Sequence, residues 1–217
     1  MTASGAGNFT IGDSSSNVGF ASASTFDLSA ATGTNSLNTL GATATATVTL
    51  ASETGGDTVQ IDDDATVVIS NFQTGSGKDV LAIDESAFGS ELVAPGDDSA
   101  PADDEVEEIS AAETLAAGDT LLVLVGEVYA TTDLVETALE VNGSRAITLV
   151  NGDAADDLAV VWSDGSNSYL GVLNIGEAQA TSGTLTSGIT TLTSVVELTG
   201  VDVSTAGTFH NDNYSII

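Results

Sequence analysis

The chain has 217 residues, of which 32 are acidic and only two, Lys78 and Arg145, are basic, so its formal net charge is −30. Nucleic acids and anionic membrane surfaces are bound through Lys and Arg, and this composition argues against both as partners. Cysteine is absent, so no disulfide stabilises the fold. The longest apolar run, Leu121–Val125, is too short to cross a bilayer, and we expect no membrane insertion.

Short apolar patches separated by small and hydroxylated residues fill the first part of the chain. Their regular spacing is typical of a β-solenoid or β-roll, in which successive turns stack their apolar positions. We therefore predict a mainly β protein with a β-solenoid or β-roll-like module over residues 1–88. An antiparallel sandwich of short strands and a largely disordered N-terminus are the alternatives. The patches are Phe9–Ile11, Val18–Phe20, Phe26–Leu28, Leu37–Leu40 and Val48–Leu50, followed by those around Val59, Val67 and Val80.

Residues 89–109 interrupt this pattern. Both prolines of the chain, Pro95 and Pro101, lie here among many acidic residues. Proline removes a hydrogen-bond donor from a sheet and like charges repel, so we predict an acidic linker or long exposed loop.

Residues 110–217 are predicted to form a second, β-rich α+β module. Two capping patterns predict short helices, one from Ser110 to about Gly118 and one from Asp133 to about Gly143. The remaining apolar runs predict strands at Leu121–Val125 and Ala146–Val150, a hairpin of Leu158–Trp162 with Tyr169–Ile175, and a strand at Leu192–Leu198.

One glycine-rich segment suggests a metal site. The run TGSGKDVL, from Thr74 to Leu81, matches the nonapeptide of calcium β-rolls except at its first Gly. Ca²⁺ takes six to eight oxygen ligands, which aspartates and turn carbonyls supply. The candidate calcium ligands are therefore Asp57, Asp62, Asp63, Asp64, Gly75, Gly77 and Asp79. The alternative is that these residues form ordinary solvated turns.

Catalytic patterns are not evident, and we expect no enzymatic activity. The single histidine, His210, has no nucleophile signature beside it, and a catalytic triad needs a base held between a nucleophile and a carboxylate. Trp162 and Tyr169 fall on facing strands of the predicted hairpin. Packing in the core is the preferred interpretation of this pair, and a ligand platform is the alternative.

Three segments resemble blocks near the C-termini of RTX-like proteins exported by type I secretion. They are VVISNFQTGSGKDVLAIDESAF, LAVVWSDGSNSYLGVLNI and the C-terminal VVELTGVDVSTAGTFHNDNYSII. The resemblance implies an extracellular or cell-surface location, export by the type I secretion machinery reading the uncleaved C-terminus, and folding assisted by Ca²⁺. Met1–Phe20 has neither the basic nor the apolar region of a cleaved signal peptide, which agrees with that route.

Self-assembly is the function predicted from these features. Residues 1–54 contain no Lys, Arg or Pro and only three acidic residues, Asp13, Asp27 and Glu53, so the residues that normally guard sheet edges are scarce. We predict a secreted structural protein that polymerises with copies of itself, head to tail, into an extracellular filament or surface layer. A calcium-dependent RTX-like adhesin or secretion module acting as a monomer is the alternative. A further alternative for the edge is that residues 1–7 fold over it as a cap.

Overall fold

The computed structural model describes residues 1–12, 20–52, 55–62, 65–84, 105–115, 119–149, 157–175, 183–188 and 191–217. The first 84 residues contribute eight strands: β1 (Thr2–Gly5), β2 (Thr10–Ile11), β3 (Ser24–Ala31), β4 (Ser36–Asn38), β5 (Ala46–Thr49), β6 (Thr58–Ile61), β7 (Val67–Ser70) and β8 (Val80–Ile83).

These strands alternate between two sheets. The odd-numbered strands β1, β3, β5 and β7 lie side by side in a large sheet, and the even-numbered strands β2, β4, β6 and β8 lie in a second sheet. All neighbours among these eight strands are parallel. The chain therefore passes back and forth between two stacked parallel sheets, which are called here the N-terminal stack.

Apolar residues occupy the same register position in successive strands and form continuous rows. In the second sheet, Leu37 pairs with Val59, Val59 with Leu81, and Leu81 with Tyr214, and all four are buried. The large sheet has an equivalent row that joins Phe26, Val48, Ile69 and Leu198. Both rows belong to one core between the sheets. The alternation of buried and half-exposed residues along each short strand thus fixes which face is inside.

The later part of the chain extends both sheets. Its elements are β9 (Glu105–Ile109), β10 (Glu113–Thr114), β11 (Asp119–Leu124), α1 (Thr132–Leu139), β12 (Ile147–Leu149), β13 (Asp157–Ser163), β14 (Ser168–Asn174), β15 (Gly183–Thr184), β16 (Thr191–Thr199), a short 3₁₀ helix (Asn211–Asn213) and β17 (Tyr214–Ile216). The large sheet has the order β1-β3-β5-β7-β16-β14-β13-β11-β9, and the five-stranded parallel sheet has the order β17-β8-β6-β4-β2.

A second core lies against the later strands of the large sheet. It joins apolar residues of β11, β13 and β14 with those of α1 and of a small three-stranded sheet, β10-β12-β15. The buried residues of α1 are Val135, Ala138 and Leu139, spaced so that they share one helical face. This second core explains why runs such as that in β13 are apolar at nearly every position: both faces of the sheet are covered there.

The mainly β class predicted from the sequence is confirmed, whereas the solenoid or roll remains an interpretation of the N-terminal stack. The hairpin is confirmed as the antiparallel pair β13–β14. The second predicted helix is confirmed as α1, although it is capped by Thr131 rather than by Asp133. The patch at Val18–Phe20 lies outside the described residues except for Phe20.

Three segments differ from their predictions. The helix expected after Ser110 is wrong, because Glu113–Thr114 pairs with β12 as a strand. Residues 105–109 of the predicted linker form β9, since Ile109 is buried in the second core and the strand pairs with β11. Thr2–Gly5 forms a strand paired with β3 and is not a loose cap. In the described part of the chain, no helix is long and apolar enough to cross a membrane.

Candidate functional site

A ladder of buried Asx side chains runs along the N-terminal stack. Asn35, Asp57 and Asp79 are spaced 22 residues apart and each immediately precedes a strand of the parallel sheet. The backbone N–H of Asn35 donates to Asp57 Oδ1 at 2.8 Å, and that of Asp57 donates to Asp79 Oδ1 at 2.8 Å. The N–H of Phe9 donates to Asn35 Oδ1 at 3.2 Å. Each side chain thus accepts a hydrogen bond from the backbone just before the neighbouring, earlier strand of the five-stranded sheet.

Burial makes this ladder electrostatically unusual. Asp57 and Asp79 are almost completely buried, so desolvation raises the pKa of both carboxyl groups. The pKa of Asp79 rises to about 6, because burial and the neighbouring Asp57 carboxylate outweigh the hydrogen bonds from Asp57 and Gln73. Asp57 Oδ2 accepts no hydrogen bond from the described residues, although the Ala51 N–H is near enough to favour the charged form.

The glycine-rich turn lies at the end of this ladder and is closed by Asn213. Gly75 and Gly77 have φ values of +105° and +69°, in the region of positive φ that glycine adopts most readily. The N–H of Gly75 donates to Asn213 Oδ1 at 2.7 Å. Asn213 Nδ2 donates in turn to the carbonyls of Asp79 at 2.8 Å and Gly75 at 3.2 Å. The motif therefore builds a tight turn whose polar groups are held by a side chain near the C-terminus.

The remaining predicted ligands lie elsewhere. Asp62 follows β6, so the whole length of that strand separates it from Asp57, and its Oδ2 accepts the N–H of Gly41. Asp63 and Asp64 lie outside the described residues.

The predicted calcium ligands that are described do not converge on one site. Both carboxylate oxygens of Asp79 accept backbone N–H groups, from Asp57 and Gln73, and the Gly75 carbonyl accepts from Lys78 and Asn213. A cation needs several oxygens that face it without intervening donors. Among the described residues, no three acidic or histidine side chains form a group able to hold a metal ion. Calcium binding stays a prediction from the sequence.

Two members of the ladder, Asn35 and Asn213, were missed in the sequence. The signal for Asn35 was present, because NSL, DTV and DVL recur at the same 22-residue spacing. Asn213 had no such signal, since it reaches Gly75 across 138 positions of sequence.

The pair Trp162 and Tyr169 belongs mainly to the second core. Their ring centroids are 5.5 Å apart and nearly parallel, and Trp162 is buried. The Tyr169 hydroxyl donates to Asp164 Oδ2 at 2.9 Å. A cavity of about 300 Å³ opens beside the pair and is lined also by Ala130, Thr131, Thr132 and Ser194. The preferred interpretation, packing in the core, describes Trp162 well, whereas Tyr169 is only half-buried.

His210 has a local structural role. Its Nδ1 accepts the N–H of Asp212 at 3.4 Å and caps the 3₁₀ helix. The Asp212 carboxylate lies 3.9 Å from the same nitrogen and also accepts the Ser76 hydroxyl. A carboxylate and a serine are thus near His210, but the serine bonds the carboxylate rather than the imidazole, which is not the order of a catalytic triad.

The N-terminal stack ends in an edge formed by β1 and β2, called here the N-terminal edge. β1 has β3 on one side and β2 has β4 on one side, and no strand of the described residues lies on the other side of either. The residues of both strands, TASG and TI, carry no side-chain charge and no proline. Exposed edge strands without such guards are templates for pairing with another chain.

The opposite edge of the large sheet is guarded. β9 has the sequence EVEEI, in which three of five residues are acidic. The N–H of Val106 donates to Asn211 Oδ1 at 3.3 Å, and the Glu108 carboxylate accepts the N–H of Gly207. Charge and the loop before β17 therefore protect this edge, whereas the N-terminal edge has neither.

Comparison of the chain with protein-family models, with curated proteins and with solved structures finds no match. The function is therefore inferred from the geometry of the fold.

Proposed function

We propose that this chain is a secreted structural protein that assembles with copies of itself into an extracellular filament or surface layer. The N-terminal edge is the observation that carries the proposal. It ends the large sheet and the five-stranded parallel sheet at once, and its strands lack the charged side chains and proline that keep natural edges apart. A stack of this kind stays soluble by itself when a cap covers its terminal strands. Here β1 is the terminal strand of the sheet and not a cap over it.

The charge of the chain supports assembly at this place and under particular conditions. With a net charge of −30, most contacts between two copies bring carboxylates together. The strands of the N-terminal edge carry no acidic side chain, which minimises that repulsion. Salt shortens the range of the remaining repulsion to roughly 8 Å at physiological ionic strength, so assembly should be stronger in saline medium.

The test is the size distribution of the full chain with and without a guard on the edge. We expect the unmodified protein to form large particles by light scattering and electron microscopy at about 0.15 M NaCl, a physiological ionic strength. Thr10→Lys places a charge on exposed β2 and should leave monomers. Thr43→Lys, an equally exposed position away from the edge, is the matched control and should assemble normally. A monomeric unmodified protein at high concentration would refute the proposal.

Export by type I secretion is part of the same proposal and needs its own test. Deleting residues 195–217 is a poor test, because it removes more than half of β16, in the middle of the large sheet, as well as β17. Ile217 is 45% exposed, so Ile217→Asp alters the apolar C-terminal end with little effect on packing. We expect reduced export of Ile217→Asp and normal export of Val141→Asp, which changes a comparably exposed apolar residue. Equal export of the two would count against recognition of the C-terminus.

The calcium-dependent monomeric module remains the alternative, supported by the excess of carboxylates. It is separated from assembly by adding CaCl₂ or NaCl at equal ionic strength. A native-state ligand at a hundredfold excess over its Kd stabilises by about 2.7 kcal/mol. The alternative therefore expects a calcium-specific rise in melting temperature without particle growth, whereas assembly driven by screening responds to both salts.

A further inference from the structure

We propose that the first contact in assembly is antiparallel pairing of β1 with β1 of a second copy, about a two-fold axis at Ala3. This inference rests on the proposed self-assembly and names the surface that begins it. A two-fold contact closes on itself, so growth beyond a dimer uses a second surface.

The hydrogen-bonding phase of β1 defines the pairing. The carbonyls of Met1 and Gly5 accept N–H groups of β3 and its neighbouring turn, from Asp27 and Thr32 respectively, both at 2.8 Å. Alternate residues of a strand direct their backbone groups to opposite sides. The register against β3 shifts between Thr2 and Ser4, where two steps along β1 match three along β3, so the extra residue belongs to β3. The alternation along β1 is therefore kept, and the N–H and C=O groups of Thr2 and Ser4 face away from β3, toward open solvent.

An antiparallel second copy satisfies those groups completely. Thr2 of one copy lies opposite Ser4 of the other, and each such pair exchanges both backbone hydrogen bonds. The two-fold axis repeats the pair, giving four bonds in all, and places the two Ala3 residues opposite each other at a non-hydrogen-bonded position. The sequence TASG is thus complementary to itself in this register.

The side chains agree with the same register. Thr2 and Ser4 are exposed on one face, where cross-strand hydroxyl pairs are favourable. Ala3 is half-buried on the other face and packs against the core between the sheets. Pairing would join the two Ala3 methyl groups at the margin of both cores. An axis perpendicular to the sheets also reverses β2, so it sets the two copies of β2 antiparallel as well.

Electrostatics permits this contact. Asp27, on the adjoining strand β3, is the register partner of Thr2. In the dimer three strand spacings, roughly 14 Å, would separate the β3 strands of the two copies. That distance exceeds the Debye length of roughly 8 Å at physiological ionic strength, so repulsion between the two Asp27 carboxylates is largely screened.

The structure favours this two-fold contact over the head-to-tail contact predicted from the sequence. A head-to-tail contact in the large sheet would bring β1 against β9. That edge carries three acidic residues, and the outward N–H of Val106 is already bonded to Asn211. Pairing β1 with β1 therefore costs less free energy than pairing β1 with β9, which is acidic and already has one outward N–H bonded.

Cysteine cross-linking tests the register, because the chain has no cysteine of its own. Opposed residues in a non-hydrogen-bonded pair have Cα atoms about 4.5 Å apart, within the range of a disulfide. We expect Ala3→Cys to oxidise to a species of twice the 21.6 kDa chain mass on a non-reducing gel. Ser4→Cys is the matched control: it is more exposed, but its copy in the partner lies two residues further along and should link poorly.

A mixture provides a second, independent test of the same register. Thr2→Cys and Ser4→Cys should each link poorly alone and should form linked dimers when mixed, because these positions face each other. Circular dichroism of each reduced variant checks that the fold is retained. Efficient linking of Ser4→Cys with itself, or no linking of Ala3→Cys and none in the mixture, would overturn the pairing.

The outcome is separable from that of the proposed function. Large particles of unmodified protein without Ala3→Cys linking would overturn this contact and leave self-assembly standing. Linked dimers of Ala3→Cys, with an unmodified protein that never exceeds a dimer, would support the contact and refute a filament or layer.

Discussion

The two ends of the N-terminal stack are finished in different ways. At one end, β1 and β2 leave the N-terminal edge without charge or proline, and the Asx ladder stops at Phe9, whose side chain offers no acceptor. At the other end, β16 and β17 continue both sheets, and Asn213 closes the ladder. Folding therefore completes one end within the chain, whereas at the other end β1 and β2 have no further strand beside them among the described residues.

The difference shows where a parallel stack is vulnerable. Interior strands bond on both sides and share apolar rows, so each is stabilised by two neighbours. A terminal strand has one neighbour and requires a guard or a partner. Four predictions test the interior, the closed end, the ladder and the guarded edge, from the largest expected effect to the smallest.

The interior row should be the most sensitive position. Leu81 is fully buried between β6 and β17, so Leu81→Ala should reduce the free energy of unfolding by about 2–5 kcal/mol through lost burial and a cavity. Ile11, in the corresponding row at the N-terminal edge, is half-buried and Ile11→Ala should cost less. Urea denaturation in the Thr10→Lys background, where we expect monomers, measures both. Equal losses would mean that the edge strand is as well packed as the interior.

The closed end depends on one side chain. Asn213→Ala removes the partners of the Gly75 N–H and the Asp79 carbonyl. Unpaired buried polar groups cost about 1–3 kcal/mol each, so we expect a loss of about 2–4 kcal/mol in urea denaturation. Asn167→Ala, which also removes a side-chain bond to a glycine N–H but at an exposed turn, is the control and should cost less. A neutral Asn213→Ala would show that the ladder needs no cap.

The ladder predicts a specific pH dependence. The pKa of Asp79 is raised in the folded protein to about 6 from 3.8, so the native state holds its proton more tightly. The stability that this group contributes is present at low pH and is lost as pH rises through about 6. Relative to that of the unmodified protein, the free energy of unfolding of Asp79→Asn should therefore rise by on the order of 2 kcal/mol between pH 4 and pH 7.

An opposite sign is expected for an exposed control. Hydrogen bonds from Ser29 lower the pKa of Asp27, so its contribution is present at neutral pH and lost as pH falls. Asp27→Asn should thus lose stability, relative to the unmodified protein, as pH rises through the range just below 3.8, and the difference between the two should change little from pH 4 to pH 7. If the free energies of unfolding of the two variants depend on pH in the same way, Asp79 is not a buried group with a raised pKa.

The guarded edge should become adhesive when its charges are removed. Glu107→Thr combined with Glu108→Thr removes two of the three acidic residues of β9 while retaining strand propensity. We expect increased light scattering even in a Thr10→Lys background, because a second edge becomes available. Scattering that stays at the level of Thr10→Lys alone would mean that the Asn211 contact with Val106 guards the edge by itself.

Local sequence determined a large part of this fold. Alternating apolar residues and Gly-rich turns were enough to predict a mainly β protein, because a strand with one buried face requires that period. The hairpin β13–β14 and helix α1 were predictable for the same reason: their hydrogen bonds join residues close in sequence. The absence of Lys, Arg and Pro from residues 1–54 is likewise a property of composition, which no tertiary contact can alter.

Tertiary structure decided what local patterns could not. The pairing of β7 with β16, which joins the early and late parts of the chain in one sheet, leaves no local trace in either strand. The glycine-rich turn matches a calcium motif by its residue types, yet Asn213 occupies its polar groups from 138 positions away. Asp57 and Asp79 are buried because the strands of the stack lie side by side, whereas in the sequence each looks like an ordinary turn residue. Contacts between residues distant in the chain set burial, and burial determines which carboxyl groups have a raised pKa.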